Sequence, residues 1–178
     1  MKTIIRTSFL MLSLTLCFPL TAPSHAQEPN KTFEDDVLNN LAGDWTLSRK
    51  MHGQNSQSTV HAEWVLNHQF LFIHMKEQSN PSQYEARVYI GYDSTSKNYV
   101  VHWIDMFGGR VSETLGHGTR EGNSIKLEFN YPDGLFHNTL TWHPETKTWT
   151  TLLEQKDQQG KWSIFAEENL RRSYGGSN

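Results

Sequence analysis

From residue 44 to residue 170 apolar side chains recur at every second position. Runs such as Val60, Ala62, Trp64 and Leu66, then Ala86, Val88 and Ile90, then Ile125, Leu127 and Phe129 alternate with His61, Glu63, Lys126 and Glu128. Successive side chains of a strand point to opposite faces, so a sustained period of two gives each run one dry face and one wet face. Ten runs follow, near 44-52, 57-66, 69-78, 83-92, 98-106, 110-118, 124-131, 135-142, 148-156 and 161-170. Between them stand "HGQNS", "SNPS", "DSTSKN", "FGG", "REGN", "YPDG", "HPETK" and "DQQG", which supply Gly, Pro, Asn and Asp where the chain must reverse. Links this short join antiparallel neighbours, because parallel strands need a crossover of about a dozen residues or more. The expected fold is therefore all-β: an up-and-down antiparallel β-barrel of about ten strands, closed so that no edge is left open. A two-sheet sandwich is the alternative, and it would require some longer Greek-key links.

One segment after the N-terminal region departs from this period. "TFEDDVLNNLAG" spaces Phe33, Val37 and Leu41 four apart, with Asp35 three after Thr32 and Gly43 at the end, which predicts one short helix over 32-41. Ahead of it, "MKTIIRTSFLMLSLTLCFPLTAPSHAQEP" has Lys2 and Arg6, then an apolar stretch, then Ser24 and Ala26. That order is the pattern of a secretory signal peptide over 1-26, and the apolar stretch is shorter than the roughly 20 residues of a membrane span. Export to the periplasm or outside the cell is the expectation, with 27-178 forming a single barrel domain. Cleavage would remove Cys17, the one cysteine, so packing rather than disulfides must hold the domain. It would also remove two cations and no carboxylate, taking the formal charge from −3 to −5. A nucleic-acid or anionic-membrane partner would favour the opposite sign.

The polar turn after Tyr92 allows a register to be written. With Tyr92 opposite Tyr99, Ile90 faces Val101, Val88 faces Trp103 and Ala86 faces Asp105, which sets a carboxylate on an apolar face and His102 on the other. A one-residue slip would exchange the faces. An inward Asp105 must be paired or wet, because an isolated buried carboxylate is costly; it is either a rim residue or a polar anchor for a ligand. Glu113, in phase with Val111 and Leu115, poses the same choice. His74 and His137 lie within apolar strands and are candidates to reach an interior. No grouping of histidines has metal-ligand spacing, no nucleophile motif is visible, and neither a metal nor a cofactor is called for. The six tryptophans, Trp64 and Trp103 among them, would fill the barrel or line a cavity within it.

"LAGDWTL", "IGYDSTSKNYVVHWID" and "WTTLLEQKDQQGKWSIFAEENLRR" resemble the bacterial domain of unknown function family 1579. That resemblance covers essentially all of 27-178, and it implies a small barrel of the calycin or lipocalin kind. In the closing hairpin, Lys156 opposite Lys161 would place Glu154, Phe165 and Glu167 on one face with Leu152. Trp149, Leu153, Trp162 and Ile164 would then form the more apolar face. Glu154 and Glu167 are thereby candidates for the polar end of a pocket. The expected function is binding of a small, mainly apolar ligand in the barrel. Two others stay open: an enzyme using an interior carboxylate or histidine for acid-base chemistry, and a haem-binding barrel with an inward histidine.

Overall fold

The computed structural model describes residues 32 to 173. The signal-peptide segment 1-26 lies outside these described residues. Ten antiparallel strands form one closed barrel in simple up-and-down order: β1 (Gly43–Met51), β2 (Gln54–Val65), β3 (Phe70–Glu77), β4 (Glu85–Asp93), β5 (Asn98–Asp105), β6 (Leu115–Glu121), β7 (Ser124–Tyr131), β8 (Gly134–His143), β9 (Thr148–Lys156) and β10 (Trp162–Arg172). β1 pairs with β10 to close the ring, Trp45 opposite Arg172 and Met51 opposite Ala166. No strand among the described residues is left as a template for pairing with another chain. The sandwich alternative is thus excluded.

The alternation was legible because its physical cause is simple: one face of every strand meets the others inside the ring. Trp45, Leu47, Val60, Leu71, Val88, Ile90, Ile125 and Leu127 are buried there, while His61, Glu63, Lys126 and Glu128 stand outside. Gly116 and Gly118 of β6 also point in. A Cβ on Gly116 would lie 2.4 Å from the Phe129 ring, so glycine makes room for an aromatic on the neighbouring strand. The β4–β5 register is the one expected from the turn, Tyr92 opposite Tyr99, Ile90 opposite Val101, Val88 opposite Trp103 and Ala86 opposite Asp105.

Four local expectations change. The predicted helix over 32-41 is present as a single 3-10 turn, Leu38–Asn40, because the Asp35 carboxylate takes the amides of Val37 and Leu38 at 2.9 and 2.8 Å and starts the turn late. Leu66 leaves the inward row: it is 67% exposed in the β2–β3 turn, the first of three successive residues with positive φ. The first half of the expected 110-118 strand is instead a helical turn, α1 (Gly109–Ser112), entered through Gly108 at φ 90°. Finally, the β9–β10 turn sets Lys156 opposite Trp162 rather than Lys161, and β10 carries a bulge between Ile164 and Ala166.

The two ends of the barrel are built differently. At one end the chain before β1 folds inward, with Phe33, Val37, Leu38 and Leu41 all buried. Phe33 stacks on Tyr92 and meets the edges of Trp64 and Tyr99. Arg172 fastens this plug by donating to the carbonyls of Ala42 and Asn40 at 2.6 and 2.9 Å while its guanidinium lies 3.9 Å over the Trp45 ring. At the other end are the hairpins β1–β2, β3–β4, β7–β8 and β9–β10 and the α1 connection. Pairing of β5 with β6 stops at His102 opposite Leu115, so Trp103 and Asp105 have no β6 partner there, and that end stays open.

Candidate functional site

Beneath the open end lies a cavity of about 540 Å³, bordered by α1 and the β7–β8 turn. Its walls come from the same period-two rows that form the core, continued toward the mouth: Trp103 beyond Val101, Phe129 and Tyr131 beyond Leu127, Phe136 before Asn138 and Leu140. The rings touch in sequence around the wall. Trp103 meets Phe129 edge to face at 6.4 Å, Phe129 stacks on Tyr131 at 5.4 Å, Tyr131 meets Phe136 at 6.1 Å and Phe136 meets Phe165 at 5.4 Å. On the other side Tyr84 leans on Phe107 at 6.0 Å. A narrower space of about 30 Å³ continues toward the plug, and Trp103 and Asn138 border both.

Polar side chains share the lining with the rings, Arg49, Glu77, Asp105, Asn138 and Gln155 among them. Arg49 Nε donates to Glu168 Oε1 at 2.6 Å, a cross-strand pair whose side chains are only 11% and 5% exposed, and the Arg49 guanidinium sits 4.9 Å over the Tyr84 ring. Burial pushes the Glu168 carboxyl up against the lowering influence of Arg49. Trp103 Nε1 donates to the Tyr84 hydroxyl oxygen at 3.0 Å, and burial of that phenol raises its pKa. Tyr131 is pushed up to about 12 by burial, with the Asp105 charge acting in the same direction. Asp105 itself is raised by burial, opposed by the Phe107 amide, which donates to Oδ1 at 3.0 Å. Asn138 is 3% exposed, and its Oδ1 has no hydrogen-bond partner in the protein.

Of the residues singled out in the sequence, Trp103 and Asp105 line this cavity together. Trp64 faces inward at the plugged end, stacked on His68 at 4.1 Å. His74 and His137 are on the outer surface: His74 Nε2 meets Glu85 Oε1 at 2.8 Å, and His137 meets Glu128 at 2.9 Å beneath the ring of Trp162. Neither supplies the inward histidine that a haem barrel would require. Glu113 is exposed at the end of α1. Glu154 and Glu167 lie on one face with Leu152, and it is the outer face. Glu154 faces Ile164, Glu167 faces Leu152, and both point out, while Phe165 and Glu168 point in. The bulge splits the face expected to be apolar, leaving Trp149 and Leu153 buried and Ile164 56% exposed.

Arg49, Tyr84, Asn138 and Glu168 were not singled out. For Arg49 and Asn138 a signal existed, since each occupies the apolar phase of its strand, after Trp45 and Leu47 and between Phe136 and Leu140. Glu168 had the same signal, since it stands between Ala166 and Leu170.

A family model described as "Protein of unknown function (DUF1579)" matches residues 30–172. The chain belongs to this family. No curated protein sequence matches it. Among solved structures, Rv2717c from M. tuberculosis superposes with a TM-score of 0.57 at 10% identity, over 78% of this chain and 96% of the other. The S-type phycobiliprotein lyase CPES from Guillardia theta superposes with a TM-score of 0.54 at 11% identity, over 78% and 91% respectively. At these identities the likeness is one of fold. It agrees with the barrel built above from alternation and turn chemistry.

Proposed function

We propose that this DUF1579 barrel receives a small, mainly apolar molecule in the cavity at its open end. The observation that carries the reading is the cavity itself: about 540 Å³ held open in an otherwise packed barrel, walled by aromatic rings with polar side chains between them. That volume falls within the roughly 300–1,000 Å³ typical of small-molecule sites, where aromatic walls combine with polar groups that fix orientation. The unpartnered Asn138 Oδ1 supports it further, because a buried acceptor without a donor costs free energy that a ligand N–H or O–H would recover. A similar barrel serves a phycobiliprotein lyase, which supports such a scaffold being put to chemical use. The signal-like order of residues 1-26 supports action after export, in the periplasm or outside the cell.

Native mass spectrometry of protein purified from its own compartment tests the reading. The expected result is a species heavier than the polypeptide by the mass of one small molecule, lost on denaturation. Protein that carries nothing, and whose tryptophan emission does not respond to any apolar probe, would refute it.

A further inference from the structure

Charge balance within the cavity distinguishes between kinds of ligand. Arg49 and Glu168 neutralise one another at 2.6 Å, and at the rim Arg110 meets Asp133 at 3.5 Å. Asp105 is different. Its recorded partner is the Phe107 amide on Oδ1, and among the described residues no Lys, Arg or His nitrogen pairs with it. Asp105 thus lines the cavity without a charged partner, as does Glu77, whose Oε2 accepts from the Gln83 amide at 3.1 Å. Aromatic faces carry partial negative charge and attract cations, most strongly where water is excluded. Asn138 Oδ1, buried and unpartnered, adds a second acceptor that would receive an N–H from a ligand.

From these features we infer that the cavity selects a protonated amine on an apolar body, its ammonium group directed to Asp105 and its body against Trp103, Phe129 and Tyr131. An anionic ligand is disfavoured for the converse reason: of the cations bordering the cavity, Arg49 and Arg110 are already paired and the Lys156 ammonium lies 5.6 Å over the Trp162 ring, while a second negative charge would enter beside Asp105. Asp105 is half-buried and lines the cavity with Trp103 and Tyr131. This inference rests on the cavity being the ligand site.

Three probes of one shape separate the possibilities: phenethylamine as its ammonium ion, propylbenzene as the neutral isostere and hydrocinnamate as the anion. Titration at neutral pH, followed by tryptophan emission and calorimetry, should show the amine binding at least about tenfold more tightly than propylbenzene. Asp105→Asn should erase that preference while propylbenzene binds as before. Equal affinity for amine and propylbenzene in the unaltered protein, or tighter binding of hydrocinnamate, would overturn the charge selection and leave the cavity reading intact. Failure of all three to bind would overturn both. A preference that survives in Asp105→Asn, with the variant's circular dichroism unchanged, would remove Asp105 as its source.

Discussion

Asp105 sits where its charge is useful to a ligand and unfavourable to the fold. Burial raises its carboxyl pKa above the ordinary 3.8, so the ionised form is less welcome in the folded state than in the unfolded chain. The sign follows from linkage: a carboxyl with a raised folded pKa favours folding while protonated and loses that contribution as pH rises through the folded value. Asp105→Asn keeps the acceptor for the Phe107 amide and removes the charge. It should raise the thermal midpoint at pH 7, and the gain should shrink to nothing below about pH 4, near the reference carboxyl value. Calorimetric scans of both proteins across that range check this; a midpoint that falls at pH 7 would show the charge to be a structural asset. Trp103 beside it presents a half-buried ring to open space, so truncating it would cost less than the roughly 3–5 kcal/mol of a fully packed ring.

At the scale of the element, the plug before β1 depends on one carboxylate. Asp35 starts the 3-10 turn through two backbone amides, accepts the Tyr99 hydroxyl and lies 3.4 Å from Arg120 Nη1. Asp35→Ala would remove the cap and leave the buried Tyr99 hydroxyl without its acceptor, for a combined loss on the order of 2–4 kcal/mol. Tyr99→Phe should lose less, because it removes donor and need together. Urea denaturation of the three proteins decides between this ordering and a plug held by Phe33 and Leu41 alone, in which Asp35→Ala would be almost silent. The α1 turn shows the opposite case. Val111 has the right phase for a strand, yet the amides of Ser112 and Glu113 turn back to the carbonyls of Gly108 and Gly109, and the mouth opens where β6 would have continued.

For the molecule as a whole, closure of the ring replaces covalent reinforcement. The single cysteine lies in the segment expected to be removed, so the barrel should keep its stability through β1–β10 pairing and its shared core alone. An exported chain of this kind should begin at Gln27. N-terminal sequencing of the exported protein checks that, and retention of Lys2 and Arg6 would count against a cleaved signal.

The sequence by itself determined what depends on neighbouring residues. Period-two alternation set which side of each strand faces in, turn residues set where hairpins reverse, and "DSTSKN" pinned the register that carries Asp105 inward. These are local properties, fixed by backbone geometry within a few residues. Only the tertiary structure decided the rest. An extra residue at Phe165 turns Trp162 and Ile164 outward and Phe165 inward while Ala166 and Glu168 still face in, because a bulge inserts one position without changing composition or alternation on either side. Which inward polar groups meet was equally out of reach: Arg49 finds Glu168 from the far end of the chain, while Trp103 finds Tyr84 just ahead of the adjacent strand β4. Such meetings follow from how ten twisted strands close upon one another, and closure is a property of the whole ring that no single strand encodes.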